Sequence, residues 1–222
     1  MGAPYVIPRR APLPEELRPR CAFDVDDFSF DFMGVCCRLV GMDYQQHHCF
    51  YVENNLHYTL EQKIKMIAVF GTTVPYNGMQ FYPGFEDVMR PAQDLDATIF
   101  FATNCPTKDI ANAKRFNIHD AIEIPDEQIL TFLTGGVIGE DDPAHRKTLP
   151  PRLLVYGDDA IHHLVEAQAD YLIGMNKPWN IDPKLRAELA GRKVYWVEDG
   201  DFRAVNQIAY DLCAEHIKQV RS

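Results

Sequence analysis

Short apolar runs alternate with stretches of helical spacing along most of the chain, and several of these runs end in a polar cluster. Cys21-Ala22-Phe23 leads into Asp24-Val25-Asp26, Thr98-Ile99-Phe100-Phe101-Ala102 into Thr103-Asn104-Cys105-Pro106, and Leu153-Leu154-Val155-Tyr156 into Gly157-Asp158-Asp159. Ala169-Asp170-Tyr171-Leu172-Ile173-Gly174 and Lys193-Val194-Tyr195-Trp196-Val197 read as further strands. A last helix is predicted from about Asp201 to Gln219, with Phe202, Val205, Ile208, Ala209 and Leu212 on one face. Buried strands alternating with helices predict an α/β fold with a parallel sheet.

Residues 30–82 interrupt the alternation. Thr59 to Ile67 has helical spacing, and Tyr44, Phe50, Tyr51, Tyr58, Phe70, Tyr76, Phe81 and Tyr82 make the segment rich in aromatics. It is expected to be a small, mostly helical cap inserted after the first strand. Pro83-Gly84-Phe85-Glu86-Asp87-Val88 then starts a helix back into the core. The predicted layout is a tail over residues 1–20, a core over 21–29 and 83–222, and the cap over 30–82.

Composition narrows the function classes. The chain has 222 residues, is 46% hydrophobic and carries a formal net charge of −10. That excess of carboxylates argues against coating a long nucleic acid, which needs cations to displace phosphate counterions. It leaves room for a small anion, because a metal or a local cation can reverse the field within a cleft. The longest apolar runs, such as Met66-Ile67-Ala68-Val69-Phe70, fall far short of the roughly 20 residues of a membrane span. No secretory segment follows Met1, and no C-x-x-C pair occurs among the cysteines, so a cytoplasmic protein with reduced thiols is expected. His47, His48, Cys49 and His57 lack recognised zinc-ligand spacing.

The polar clusters fall at the C-terminal ends of predicted parallel strands, where open α/β sheets bind ligands. Asp24 and Asp26, two apart, point the same way if the strand runs on through them. Two adjacent carboxylates call for a proton on one of them or a cation between them. Mg²⁺ takes oxygen ligands, and Asp24, Asp158 or Asp159, and the Asp26 backbone carbonyl are its candidate donors. Phosphoryl transfer fits these groups. Asp24 would attack phosphorus, Asp26 kept protonated would give its proton to the leaving oxygen, and Thr103 and Lys147 would bind the phosphoryl oxygens. Lys108 and Lys177 are alternatives to Lys147. Thr103 also reads as the N-cap of the following helix, which suits phosphate binding.

The residues resemble the haloacid dehalogenase superfamily of phosphatases. Four motifs carry the resemblance: Phe23-Asp24-Val25-Asp26-Asp27, Phe101-Ala102-Thr103, Lys147, and Val155-Tyr156-Gly157-Asp158-Asp159. The resemblance implies a Rossmann-like core, Mg²⁺ and the roles just given. Within the superfamily the chain is most similar to the 5'(3')-deoxyribonucleotidases. The features shared with them are Asp31-Phe32, Pro83-Gly84, Arg146-Lys147-Thr148, Pro178-Trp179-Asn180 and Trp196-Val197-Glu198-Asp199. That similarity implies a nucleoside monophosphate as substrate, Phe32 against the base and a homodimer. Asn104 stands where this group often has Ser, and its amide can still donate to phosphate.

Two features depart from or divide the pattern. Phe28 is foreign to it and is expected to reshape the entrance or the leaving-group pocket. In the fourth motif the Gly-Asp form favours Asp158 as direct metal ligand and the paired-Asp form favours Asp159, while the four apolar residues before Gly157 favour Asp158. Competing functions are a phosphatase of another small phosphomonoester, a DNA 3'-phosphatase, and an inactive binding protein that keeps the fold.

Overall fold

The computed structural model describes residues 11–137 and 146–222, so half of the tail expected over residues 1–20 lies outside the described residues. Six strands form one sheet: β1 (Arg20–Phe23), β2 (Thr98–Cys105), β3 (Ile129–Leu133), β4 (Leu153–Asp158), β5 (Ala169–Met175) and β6 (Val194–Val197). Their order is β3-β2-β1-β4-β5-β6, and every neighbouring pair is parallel. This is the predicted Rossmann-like α/β architecture. No helix among the described residues is long and apolar enough to cross a membrane.

Side-chain alternation in the central strands separates two apolar layers. Cys21, Phe23, Ile99, Phe101, Val155 and Ile173 face one layer, which includes Phe202, Val205 and Leu212 of helix α7 (Phe202–Arg221). Ala22, Phe100, Tyr156 and Leu172 face the other, with Ile161 and Leu164 of α5 (Ile161–Glu166). The remaining α-helices among the described residues are α1 (Phe32–Val40), α2 (Leu60–Phe70), α3 (Arg90–Leu95), α4 (Lys108–Ala121) and α6 (Pro183–Ala187).

Between β1 and β2 the regular elements are helical. Asp31 caps α1 by accepting from the Gly34 N–H, and Thr59 and Gln62 form a reciprocal capping box on α2. The ends of this excursion meet, since Phe30 bridges Phe81 and the Tyr82 N–H donates to the Ser29 carbonyl at 3.0 Å.

Three expectations need correction, and one strand is not among those expected. Strand β3 lies at a sheet edge with most of its residues half-buried and Thr131 interrupting its apolar residues. The helix expected from Pro83 is a short 3-10 turn over Phe85–Asp87, with α3 starting only at Arg90. Thr103 is not an N-cap: β2 runs on to Cys105, and Thr107 caps α4 by accepting from the Ile110 N–H. Phe28 does not shape an entrance. It is fully buried, stacked on Phe23 at 6.2 Å and edge-on to Phe202 at 5.9 Å, because the turn after Asp27 (φ 58°) folds it back into the core.

Phe28 and Phe23 leave room at position 157 for glycine alone. A Cβ there would stand against the Phe28 ring and 2.9 Å from Phe23 Cδ1. Gly157→Ala is therefore expected to cost about 1–3 kcal/mol through overpacking, read as a lower urea midpoint. An unchanged midpoint would show that the ring yields freely.

Candidate active site

The chain order reverses at β1. Strands β2 and β3 lie on one side of it and β4 to β6 on the other, and loops diverging from such a switch point leave a crevice. Asp24 directly follows β1, Thr103 lies in β2, and Asp158 ends β4 with Asp159 next to it. The Asp24 N–H donates to the Gly157 carbonyl at 2.9 Å, and the Ser29 hydroxyl donates to the Asp24 carbonyl at 2.6 Å. The first of these bonds ties the first motif to the fourth, and the second fixes the turn that follows Asp24.

Carboxylate oxygens of Asp24, Asp158 and Asp159 lie within 4.8 Å of one another, and all three residues are buried. The Lys147 Nζ stands between two of them, 2.5 Å from Asp24 Oδ1 and 2.8 Å from Asp158 Oδ2. Of the alternatives, Lys108 is exposed, and Lys177 is engaged elsewhere by Asp199 at 2.5 Å and by the Tyr82 hydroxyl at 2.7 Å.

Asp26 does not share a cation with Asp24. Strand β1 has ended at Phe23, and the Asp26 carboxylate turns to a second lysine, accepting from Lys114 Nζ at 2.6 Å. Lys114 also donates to the Thr103 hydroxyl at 2.7 Å and to the Asn104 carbonyl at 2.8 Å. Repulsion between two neighbouring carboxylates is thus met by two separate ammonium groups.

The two candidate metal ligands of the fourth motif differ in their surroundings. Asp158 accepts from the Ala160 N–H at 2.9 Å, from Lys147 and from the Tyr156 hydroxyl, and His163 Nδ1 lies 3.1 Å from its Oδ2. Asp159 takes the Trp179 indole N–H at 3.1 Å on one oxygen and lines the crevice, which Asp158 does not. The geometry therefore favours Asp159 over Asp158 as the residue facing the cavity, against the preference drawn from the apolar run.

Charge states follow from burial and neighbours. Burial, with the Asp158 and Asp26 carboxylates adding to it, raises Asp24 to about 7 despite Lys147. Asp159 is raised as well, by burial first and then by Asp158, Asp27 and Asp24. Burial works to raise Asp158 too, but Lys147 and His163 outweigh it and hold that carboxyl well below its usual range. Burial opposes the Lys147 ammonium, yet Asp158 and Asp24 hold its affinity for the proton above the ordinary value.

This donor set fits a hard divalent cation. It is all oxygen, it is buried, and one lysine faces three carboxylates, so negative charge stays under-compensated. His47, His48, Cys49 and His57 do not gather into such a set. His47 Nδ1 pairs with the Tyr58 hydroxyl at 3.2 Å while His48 packs on His57.

Above the carboxylates lies a cavity of about 150 Å³. Asp24, Asp26, Thr103, Asn104, Lys147 and Asp159 line it together with Phe32, Phe50, Tyr51, Phe70 and Tyr76. Phe32 thus reaches the site, with one face taken by Tyr76 (centroids 5.4 Å, 17° apart) and Phe70 tilted against it at 5.2 Å.

Solved structures share this architecture. A hydrolase from Pseudomonas syringae superposes with a TM-score of 0.50 over 86% of this chain and 97% of its own, at 13% identity. A haloacid dehalogenase-like family hydrolase from Streptococcus pneumoniae does so at 0.50 over 87% and 99%, at 11% identity. The fold is that of the haloacid dehalogenase-like hydrolases. No protein-family model matches the sequence, and no curated protein matches it.

Lys114 and His163 are site residues that the motif pattern does not announce. The signal for Lys114 is its place between Ile110 and Ile118 in the buried stripe of α4. His163 follows Asp158 by five residues, one turn into α5, and carries no mark of its own beyond a second histidine beside it.

Proposed function

We propose that the protein is a Mg²⁺-dependent phosphomonoesterase acting on nucleoside monophosphates through an aspartyl-phosphate on Asp24. The observation that carries this reading is the convergence of Asp24, Thr103, Lys147 and Asp159 on one cavity that Phe32, Phe50, Tyr51, Phe70 and Tyr76 also line. A bound Mg²⁺ held by Asp24 and Asp159, with Asp158 behind them, would neutralise charge on the phosphoryl oxygens.

The chain's own residues account for the rest. An Asp24 oxygen attacks phosphorus as the bond to the leaving oxygen breaks, and that oxygen takes a proton from Asp26. Water then attacks phosphorus, Asp26 takes its proton, and the bond to Asp24 breaks to release phosphate. Lys147 holds Asp24 in place and adds positive charge beside the phosphoryl group, while Thr103 and Asn104 also line the cavity. The aromatic lining offers apolar surface to a flat base, and Phe32, which is among the lining residues, is the expected contact.

Phosphate release from a panel of phosphomonoesters, with and without Mg²⁺, tests the proposal. Turnover of dUMP or dTMP that exceeds that of sugar phosphates and needs Mg²⁺ is expected. Equal or faster turnover of sugar phosphates would remove the nucleotide reading and leave a phosphatase of another small ester. Mononucleotide turnover that is insensitive to salt would set aside action on DNA ends.

A further inference from the structure

Residues 176–180 form a clip between the ends of β4 and β5. Asn180 is buried, and its Nδ2 donates to the Asp159 carbonyl at 2.7 Å and to the Met175 carbonyl at 2.5 Å. Its Oδ1 accepts from the Lys177 N–H at 2.8 Å, and its own N–H donates to the Lys177 carbonyl at 3.0 Å. Lys177 is fully buried and anchors the clip in turn, on Asp199 and on the Tyr82 hydroxyl. Trp179 stands inside this frame. It is 5% exposed, its ring lies edge-on to Tyr44 at 6.2 Å and to His47 at 5.2 Å, and it lines the cavity.

Held in this way, the indole N–H donates to one oxygen of Asp159, Oδ2, at 3.1 Å. Among the described residues no hydrogen bond reaches the other oxygen, Oδ1, and Asp159 has no ion pair, unlike Asp24 and Asp158. Asp158 is engaged on both oxygens, Oδ1 by the Ala160 N–H and Oδ2 by Lys147 and the Tyr156 hydroxyl. The donors differ in charge as well. Lys147 orients Asp24 and Asp158 but cancels part of their charge. The neutral indole orients Asp159 and leaves its charge for a cation, as outer partners of metal ligands do.

We propose that Trp179 is a positioning residue for the metal, which holds Asp159 Oδ2 so that Asp159 offers the ion Oδ1 alone. This rests on the Mg²⁺ site of the phosphomonoesterase reading. Mg²⁺ demands a near-ideal octahedron, in which a carboxylate supplies one oxygen, whereas Ca²⁺ readily takes both oxygens of a carboxylate. An indole that occupies Oδ2 therefore favours Mg²⁺ over Ca²⁺.

Calorimetric titration of the full chain with MgCl₂ or CaCl₂ alone, without substrate, tests this role. Trp179→Phe keeps an aromatic ring and removes the donor. Losing an outer partner typically weakens metal binding by about 10–100-fold, so the Mg²⁺ Kd is expected to rise at least about 10-fold while the Ca²⁺ Kd stays within about threefold. Trp179→β-(3-benzothienyl)alanine puts sulfur in place of the N–H on the same bicyclic frame and is expected to give the same shift. It keeps the test open should Trp179→Phe leave a void that unfolds the chain. An unchanged Mg²⁺ Kd in the folded variants would overturn the role. Equal weakening of both ions would do so too, because it would assign Trp179 to packing. If the wild-type protein bound no Mg²⁺, the metal part of the reading would fall and this role with it. Mg²⁺ binding without phosphate release from any ester would end the phosphatase reading and leave the role of Trp179 standing.

Discussion

Asp24→Asn is expected to abolish phosphate release from every phosphomonoester, with kcat lowered by about 10⁴-fold and the fold retained. The carboxamide keeps an oxygen that accepts from Lys147, now 2.5 Å from Asp24 Oδ1, and fills the same volume. What it lacks is the charge and the nucleophilic oxygen. The same variant reports on the metal. Mg²⁺ at 100 times its Kd would stabilise the wild type by about 2.7 kcal/mol, a rise in Tm of roughly 5–10 °C for a chain of this size. Asp24→Asn is expected to keep less than half of that rise. Phosphate release within 10-fold of wild type would remove Asp24 from the role of nucleophile. A full Mg²⁺-induced rise would remove it from the ion's ligands.

How much of this was legible in the sequence varies by element for physical reasons. β1, β2 and β4 are buried on both faces, so their runs are continuously apolar and stand out. β3 sits at the edge, pairs with β2 alone and mixes Thr131 with Leu133, which is 60% exposed, so no run marks it. Asp24 and Asp158 stand at strand ends and Thr103 lies near the end of β2, and the C-terminal reach of a strand can be read from composition. Lys114 and His163 act through helices, where a polar residue ordinarily faces solvent, and their burial depends on what the helix meets in space. Phe28 shows the reverse error. An aromatic residue next to a catalytic motif suggests a pocket, but the left-handed turn at Asp27 sends it into the core. The ordering of Asp158 and Asp159 likewise turns on tertiary partners, Tyr156 and His163 for the one and Trp179 for the other.

Lys147→Met is expected to cost about 3–5 kcal/mol at pH 7.5 in the absence of Mg²⁺. Its side chain is 4% exposed and bridges Asp24 and Asp158, so its removal leaves buried carboxylates facing one another. The cost should depend on pH with a definite sign. Burial raises Asp24 from 3.8 to about 7, so between about pH 4 and 7 the folded chain binds a proton that the unfolded chain has released. The stability that goes with that proton is present at the acid end and lost as pH rises through the folded value. Asp158 has the opposite sign, because Lys147 and His163 depress it against burial. Its contribution is present above 3.8 and lost as pH falls below that value. Without Lys147, Asp24 rises further and favours the acid side over a wider pH range, while Asp158 loses one of the two partners that depress it. The deficit of Lys147→Met against wild type is accordingly expected to be smallest near pH 5 and to widen towards pH 8, as read from urea midpoints at both ends. Added Mg²⁺ should narrow it at pH 8, because a cation shared by Asp24 and Asp159 supplies the charge that the lysine no longer does. A deficit that stays constant from pH 5 to pH 8 would mean that Lys147 contributes packing rather than charge, and would count against the electrostatic account of the site.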